Sequence, residues 1–95
     1  MKKLVYVSDT LISVSIRVIK RLWKVEKSNE FPEGLEFAIQ LLDRDNKLWK
    51  QILRIDNQLH DGKPGVHIHK KGYVQWLDIT FEEAEELIGR YANEN

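Results

Sequence analysis

All three histidines of this chain, His60, His67 and His69, fall within ten positions. His67 and His69 are two residues apart in a strand-forming run, so both side chains leave the same face, and Val66 and Ile68 leave the other. Two residues of strand rise set the rings roughly 6 to 7 Å apart. Asp56 and Asn57 stand upstream, at the end of an apolar run. Asp61 and Lys63 lie in the intervening loop, and Lys70, Lys71 and Tyr73 follow.

Two chemistries fit this spacing. In one, His67 and His69 share a metal, with His60, Asp56 or Asp61 as a third ligand. In the other, RNA is cleaved without metal. That reaction needs a base for the ribose 2′-OH, an acid for the leaving 5′-oxygen and a cation for the charge that develops on phosphorus. Two imidazoles can divide the first two tasks, and Arg54, Lys70 or Lys71 can supply the third. The gathering of every His beside a Gly/Pro loop does not choose between them; the second chemistry needs no cofactor. Each piece also has an ordinary structural role. Asp56-Asn57 can bond turn backbone, Lys70-Lys71-Gly72 can be a solvated hairpin, and Trp23, Trp49 and Trp76 can pack a sheet.

The rest of the composition narrows the field. The chain has 95 residues, 42% of them hydrophobic and 32% charged, with no Cys. That is one domain, residues 1–95, with enough apolar matter for a core. Disulfides, thiolate nucleophiles and Cys-type zinc or iron–sulfur sites are excluded. No apolar run is long enough to cross a bilayer, and Leu4 to Val7 is too short for a signal-peptide core, so a cytoplasmic protein without membrane contact is expected. The formal charge is zero, but residues 1–27 carry seven basic groups against two acidic, and residues 78–95 carry six acidic against one Arg. Such a chain can present a basic face, which could meet RNA, and an acidic face, and an ordinary solvated surface is the preferred reading.

The elements that must position the cluster read mostly as strands. Leu4 to Val7 is a short β-prone run and Ser8-Asp9-Thr10 a turn. Ile12, Val14, Ile16 and Val18 alternate with polar residues, as do Leu35, Phe37, Ile39 and Leu41. Residues 17–27 also fit a helix, but their β-branched run favours a long strand with a bulge near Val18-Ile19. Asp43 to Lys47 reads as a hairpin connection, after which Trp49, Leu53 and Ile55 share one face and Lys50 and Arg54 the other. Lys71-Gly72 joins a last hairpin. Thr80-Phe81-Glu82-Glu83 is a capping box, and Phe81, Ala84, Leu87, Ile88 and Tyr91 recur at helical spacing. The expected fold is α+β: four to six antiparallel strands in meander order with one C-terminal helix on one face.

Ile55-Asp56-Asn57, the polar loop Gln58 to Gly65 and His67-Ile68-His69 together resemble the central motif of the TumE-like toxin family. These small prokaryotic proteins carry an aromatic-Asp-Asn at a strand end, a Gly-rich loop, a His-x-His-type cluster and a C-terminal helix. In this chain Ile55 takes the aromatic position, the loop is somewhat longer, and His60 is an addition. The resemblance implies a ribosome-independent mRNA interferase, held inactive by a cognate antitoxin that is often a helix-turn-helix protein. The matching positions are Asp56, Asn57, His67 and His69. On chemical grounds His67 and His69 would be the acid–base pair, Asp56 would orient one imidazole, and Asn57 would hold the loop or meet phosphate. Arg17, Arg21 and Lys24 would hold the RNA backbone, and two copies could pair through an edge strand. The alternatives are a protein-binding module using a sheet face or edge, and a metal-binding domain built on His60, His67 and His69.

Overall fold

The computed structural model describes residues 2–94. Six strands, β1 (Lys3–Leu11), β2 (Ile16–Lys24), β3 (Leu35–Asp45), β4 (Leu48–Asp56), β5 (Val66–Lys70) and β6 (Tyr73–Leu77), precede one helix, α1 (Phe81–Asn93). Each strand pairs antiparallel with the next, giving one sheet in the order β1 to β6. This is the α+β meander expected from the alternating runs.

The period-two pattern gives the sheet two different faces. Val18, Phe37, Ile39, Leu41, Leu53, Ile55 and Ile68 share one face and form the core with Ala84, Ile88 and Ala92 of α1. The helix starts where its residues demand. The Thr80 side chain accepts a hydrogen bond from the Glu83 amide at 3.1 Å, and the Glu83 carboxylate accepts one from the Thr80 amide at 3.0 Å. Phe81 then packs edge-on against Phe37, with ring centroids 5.2 Å apart.

Several local expectations are corrected. Ser8-Asp9-Thr10 is not a turn but part of β1, paired with Lys20, Ile19 and Val18. Its polar residues face cross-strand partners, and Asp9 forms an ion pair with Arg17. The reversal comes later, where the amides of Ile12 and Ser13 donate to the Ile16 carbonyl, so Ile12 and Val14 belong to the connection. Residues 16–24 are strand, and their register with β3 runs unbroken past Val18-Ile19. The bulges fall elsewhere, at Val5 in β1 and at Ile52 in β4, where partner residues are consecutive but the strand skips one.

The Ile52 bulge matters for function. Leu53 pairs with Leu41, but Gln51 pairs with Leu42 and Trp49 with Arg44. An extra residue reverses the sense of alternation. Trp49 therefore lies on the face opposite Leu53 and Ile55, together with Gln51 and Arg54, and Lys50 lies on the core face.

Ile88 is 1% exposed at the centre of the helix–sheet contact. Ile88→Ala is expected to lower unfolding free energy by about 2–5 kcal/mol, a large part of a small domain's stability. Urea denaturation measures this as a shift in midpoint at unchanged slope.

Candidate active site

The face of the sheet away from α1 gathers the chemistry. Cross-strand partners share a face, so the register Arg21–Ala38–Asp56–His67–Trp76 is one row across five strands. The next row is Ile19–Gln40–Arg54–His69–Val74. The His-x-His spacing thus places both imidazoles on the open face, beside Asp56 and Arg54.

Asp56 is the hub. It is 2% exposed, a carboxylate at the last position of β4. Such a buried anion persists only with donors; two donate to it here, and two imidazoles lie against it. Arg54 Nε donates to Oδ2 at 2.8 Å, and the Gln58 amide donates to Oδ1 at 3.0 Å. His67 Nε2 lies 3.2 Å from Oδ1, and His69 Nε2 lies 3.4 Å from Oδ2. Both rings lean on one carboxylate, which draws their centroids to 4.6 Å, closer than strand rise alone would set them. Behind this set, the Gln58 side chain accepts from Arg54 and donates to Glu36, which is paired with Lys2.

His67 and His69 differ in access. His67 is 1% exposed, with the Trp76 ring tilted against it at 4.6 Å and Nδ1 3.1 Å from the Gly65 carbonyl. A carbonyl only accepts, so Nδ1 carries the proton. The His69 side chain is 29% exposed. Burial, outweighing the attraction of Asp56 and helped by His67, His60 and Arg54, pushes its pKa below the ordinary imidazole value of 6.5. A neutral His69 that donates from Nε2 to Asp56 keeps a lone pair on Nδ1.

His60 completes the cluster. Asp61 and Gly62 both take positive φ, 52° and 76°, as a two-residue turn requires. Around them the His60 and Lys63 backbones exchange two hydrogen bonds, of 3.1 and 3.0 Å. This small hairpin folds His60 back over β5, so that its ring centroid is 5.1 Å from His69 and 5.4 Å from His67. Gln51, Arg54, Asp56, Gln58, Leu59 and the three histidines line an open cleft of about 370 Å³, within the ~300–1,000 Å³ range of small-ligand sites.

The remaining residues named from the sequence are divided. Arg21 lies on the open face and donates to Gln40 at 3.2 Å. Arg17 shares that face, stacked over Trp49 at 5.4 Å and bound through Nε to Asp9 at 2.7 Å. Lys70 is on the other face, its ammonium 4.3 Å from the Tyr91 ring of the helix, and Lys24 shares that parity. Lys71 is exposed at the β5–β6 turn. Asn57 is outside the cluster: it accepts from the Phe37 amide at 2.7 Å and donates to the Leu35 carbonyl at 2.8 Å, closing β3 beyond Asp56. Sequence reasoning missed Gln58, Glu36 and Trp76. Only Trp76 was within reach, since the Lys71-Gly72 hairpin register sets it opposite His67.

No family model, curated protein or solved structure matches this chain.

The folded protein binds the His69 proton more weakly than the unfolded chain does. The resulting cost to stability develops as pH falls below 6.5 and is complete below the folded value. A histidine-resolved NMR titration in EDTA should place the His69 midpoint below 6.5; a midpoint above it would contradict the assigned environment.

Proposed function

We propose that this chain is a TumE-like toxin, a cytoplasmic endoribonuclease that cleaves single-stranded RNA without metal. One observation carries the reading: His60 and His69, with rings 5.1 Å apart, open onto a cleft that also presents Arg54. His69, neutral and with Nδ1 unprotonated, takes the proton of a ribose 2′-OH. The 2′-oxygen attacks phosphorus, and the bond to the 5′-oxygen breaks. Protonated His60 gives its proton to that oxygen. Arg54 faces the charge that develops on the phosphoryl oxygens.

Asp56 and His67 are positioning residues on this reading. Both are buried, and they fix the His69 ring and the loop that carries His60. His60 therefore replaces His67 in the acid–base pair expected from the sequence. Arg21 extends the cation row along which an RNA backbone would run. A cognate antitoxin would neutralise the enzyme by adding a strand to the edge of β1, where Leu4, Val5, Tyr6 and Val7 are exposed. The same edge would serve pairing of two copies.

The test is cleavage of a defined single-stranded RNA in excess EDTA. Wild type should cut, and His69→Ala and His60→Ala should each lose about 10²- to 10⁴-fold in rate while keeping the wild-type circular dichroism. Absence of cutting by wild type, or undiminished cutting by folded His69→Ala, overturns the proposal.

A further inference from the structure

The three imidazoles of the cleft also have the spacing of a metal site, and the Asp56 carboxylate lies against two of them. We propose that Asp56, His60, His67 and His69 bind one divalent cation of the zinc class in tetrahedral geometry.

The argument starts from His67. Its Nδ1 proton is committed to the Gly65 carbonyl at 3.1 Å, so in the neutral ring the Nε2 lone pair points at Asp56 Oδ1, 3.2 Å away. A lone pair facing a carboxylate oxygen is repulsive unless a cation joins the two. A proton can do so, and so can a metal. The backbone bond at Nδ1 is the support that metal-ligating imidazoles commonly have: it fixes the tautomer and aims the other nitrogen.

The distances suit the second occupant. Metal–ligand bonds of about 2.0–2.1 Å in a tetrahedron put neighbouring ligand atoms about 3.3–3.4 Å apart. Each Asp56 oxygen has one imidazole nitrogen at this spacing: His67 Nε2 is 3.2 Å from Oδ1 and His69 Nε2 is 3.4 Å from Oδ2. One ligand nitrogen from each of His60, His67 and His69 lies within 4.8 Å of the others. Closing the remaining difference falls to His60, which sits on a short hairpin of the connecting loop and outside the six-stranded sheet. Both Asp56 oxygens are already oriented, by Arg54 and by the Gln58 amide.

The donor set selects the ion. Three imidazoles and one carboxylate suit zinc, cobalt or copper rather than magnesium or calcium, which favour oxygen cages. The Arg54 guanidinium beside Asp56 further disfavours a cation held by charge alone. Four protein ligands make a closed coordination sphere, the arrangement of a structural rather than a catalytic metal. One consequence rests on the nuclease reading: the metal-loaded form is inactive, because the ion occupies both imidazoles that would move protons.

Metal binding has a readout independent of cleavage. Protein treated with EDTA and transferred to chelator-free buffer is titrated with Co²⁺ and then with Zn²⁺. One equivalent of Co²⁺ should give the intense visible absorption of a tetrahedral site, and one equivalent of Zn²⁺ should bleach it. His60→Ala should weaken Co²⁺ binding at least about 10-fold while leaving the fold intact. No binding, or a weak octahedral spectrum indifferent to His60→Ala, overturns the metal site. RNA cleavage followed during the same Zn²⁺ titration should fall in step with occupancy. Full cleavage by the zinc-saturated protein overturns the inactivation alone, and a protein that never cuts RNA in EDTA leaves the spectroscopic result standing by itself.

Discussion

The Asp56 carboxylate is the constraint on which the open face depends. A carboxylate that is 2% exposed would be strongly destabilising without compensation. In this fold a guanidinium and a backbone amide donate to it, and two imidazole nitrogens lie against its oxygens. Those four groups come from β4, from the residue just after Asn57 and from β5. Satisfying one charge thus ties the end of β4 to β5 and to the start of the loop. Removing the carboxylate would leave Arg54 without its main partner and would free both rings from a common orientation. The same charge explains why two solvent-side residues of a strand, His67 and His69, sit closer together than their backbone spacing requires.

The sheet separates stability from chemistry by parity. Alternate positions of β3, β4 and β5 go to the helix-covered core and to the open face, with the alternation shifted once at Ile52. Ile55 and Ile68 anchor one side, while Arg54, Asp56, His67 and His69 occupy the other. The Ile52 bulge lets Gln51 and Arg54 both reach the cleft while Leu53 and Ile55 stay in the core. Asn57 then ends the β3–β4 ladder with a backbone bond to the Phe37 carbonyl and two side-chain bonds to the β3 backbone, and Gln58 turns back toward Asp56. Core packing therefore sets the positions of the strand-borne cleft residues, and the loop from Gln58 to Gly65 adds His60.

Much of this was legible in the sequence, and the gaps have physical causes. The alternation of Phe37, Ile39 and Leu41, the capping box at Thr80 and the shared face of His67 and His69 are local patterns, and the structure contains all of them. The bulge at Ile52 is hidden because Trp49, Leu53 and Ile55 are all apolar and of one parity, so the pattern looks continuous through a residue that breaks it. Ser8-Asp9-Thr10 has turn composition, but its side chains are satisfied across the strand, by Arg17 in the case of Asp9. The turn at Asp61-Gly62 was readable. Its placement over β5 was not, because that depends on how Gly65, at φ 106°, redirects the chain. Proximity of His60 to His69 and the burial of His67 are tertiary consequences, and they shift the chemically accessible pair from His67 and His69 to His60 and His69.

The most direct test of the proposed proton transfer between a ribose hydroxyl and a leaving oxygen is the chemistry of the cut ends. RNA cleaved by the protein in EDTA is analysed by mass spectrometry for its new termini. Attack by the 2′-oxygen predicts a 2′,3′-cyclic phosphate on one fragment and a 5′-hydroxyl on the other. A 3′-hydroxyl with a 5′-phosphate would mean that water, not the neighbouring hydroxyl, attacked phosphorus, and would contradict the acid and base roles of His60 and His69.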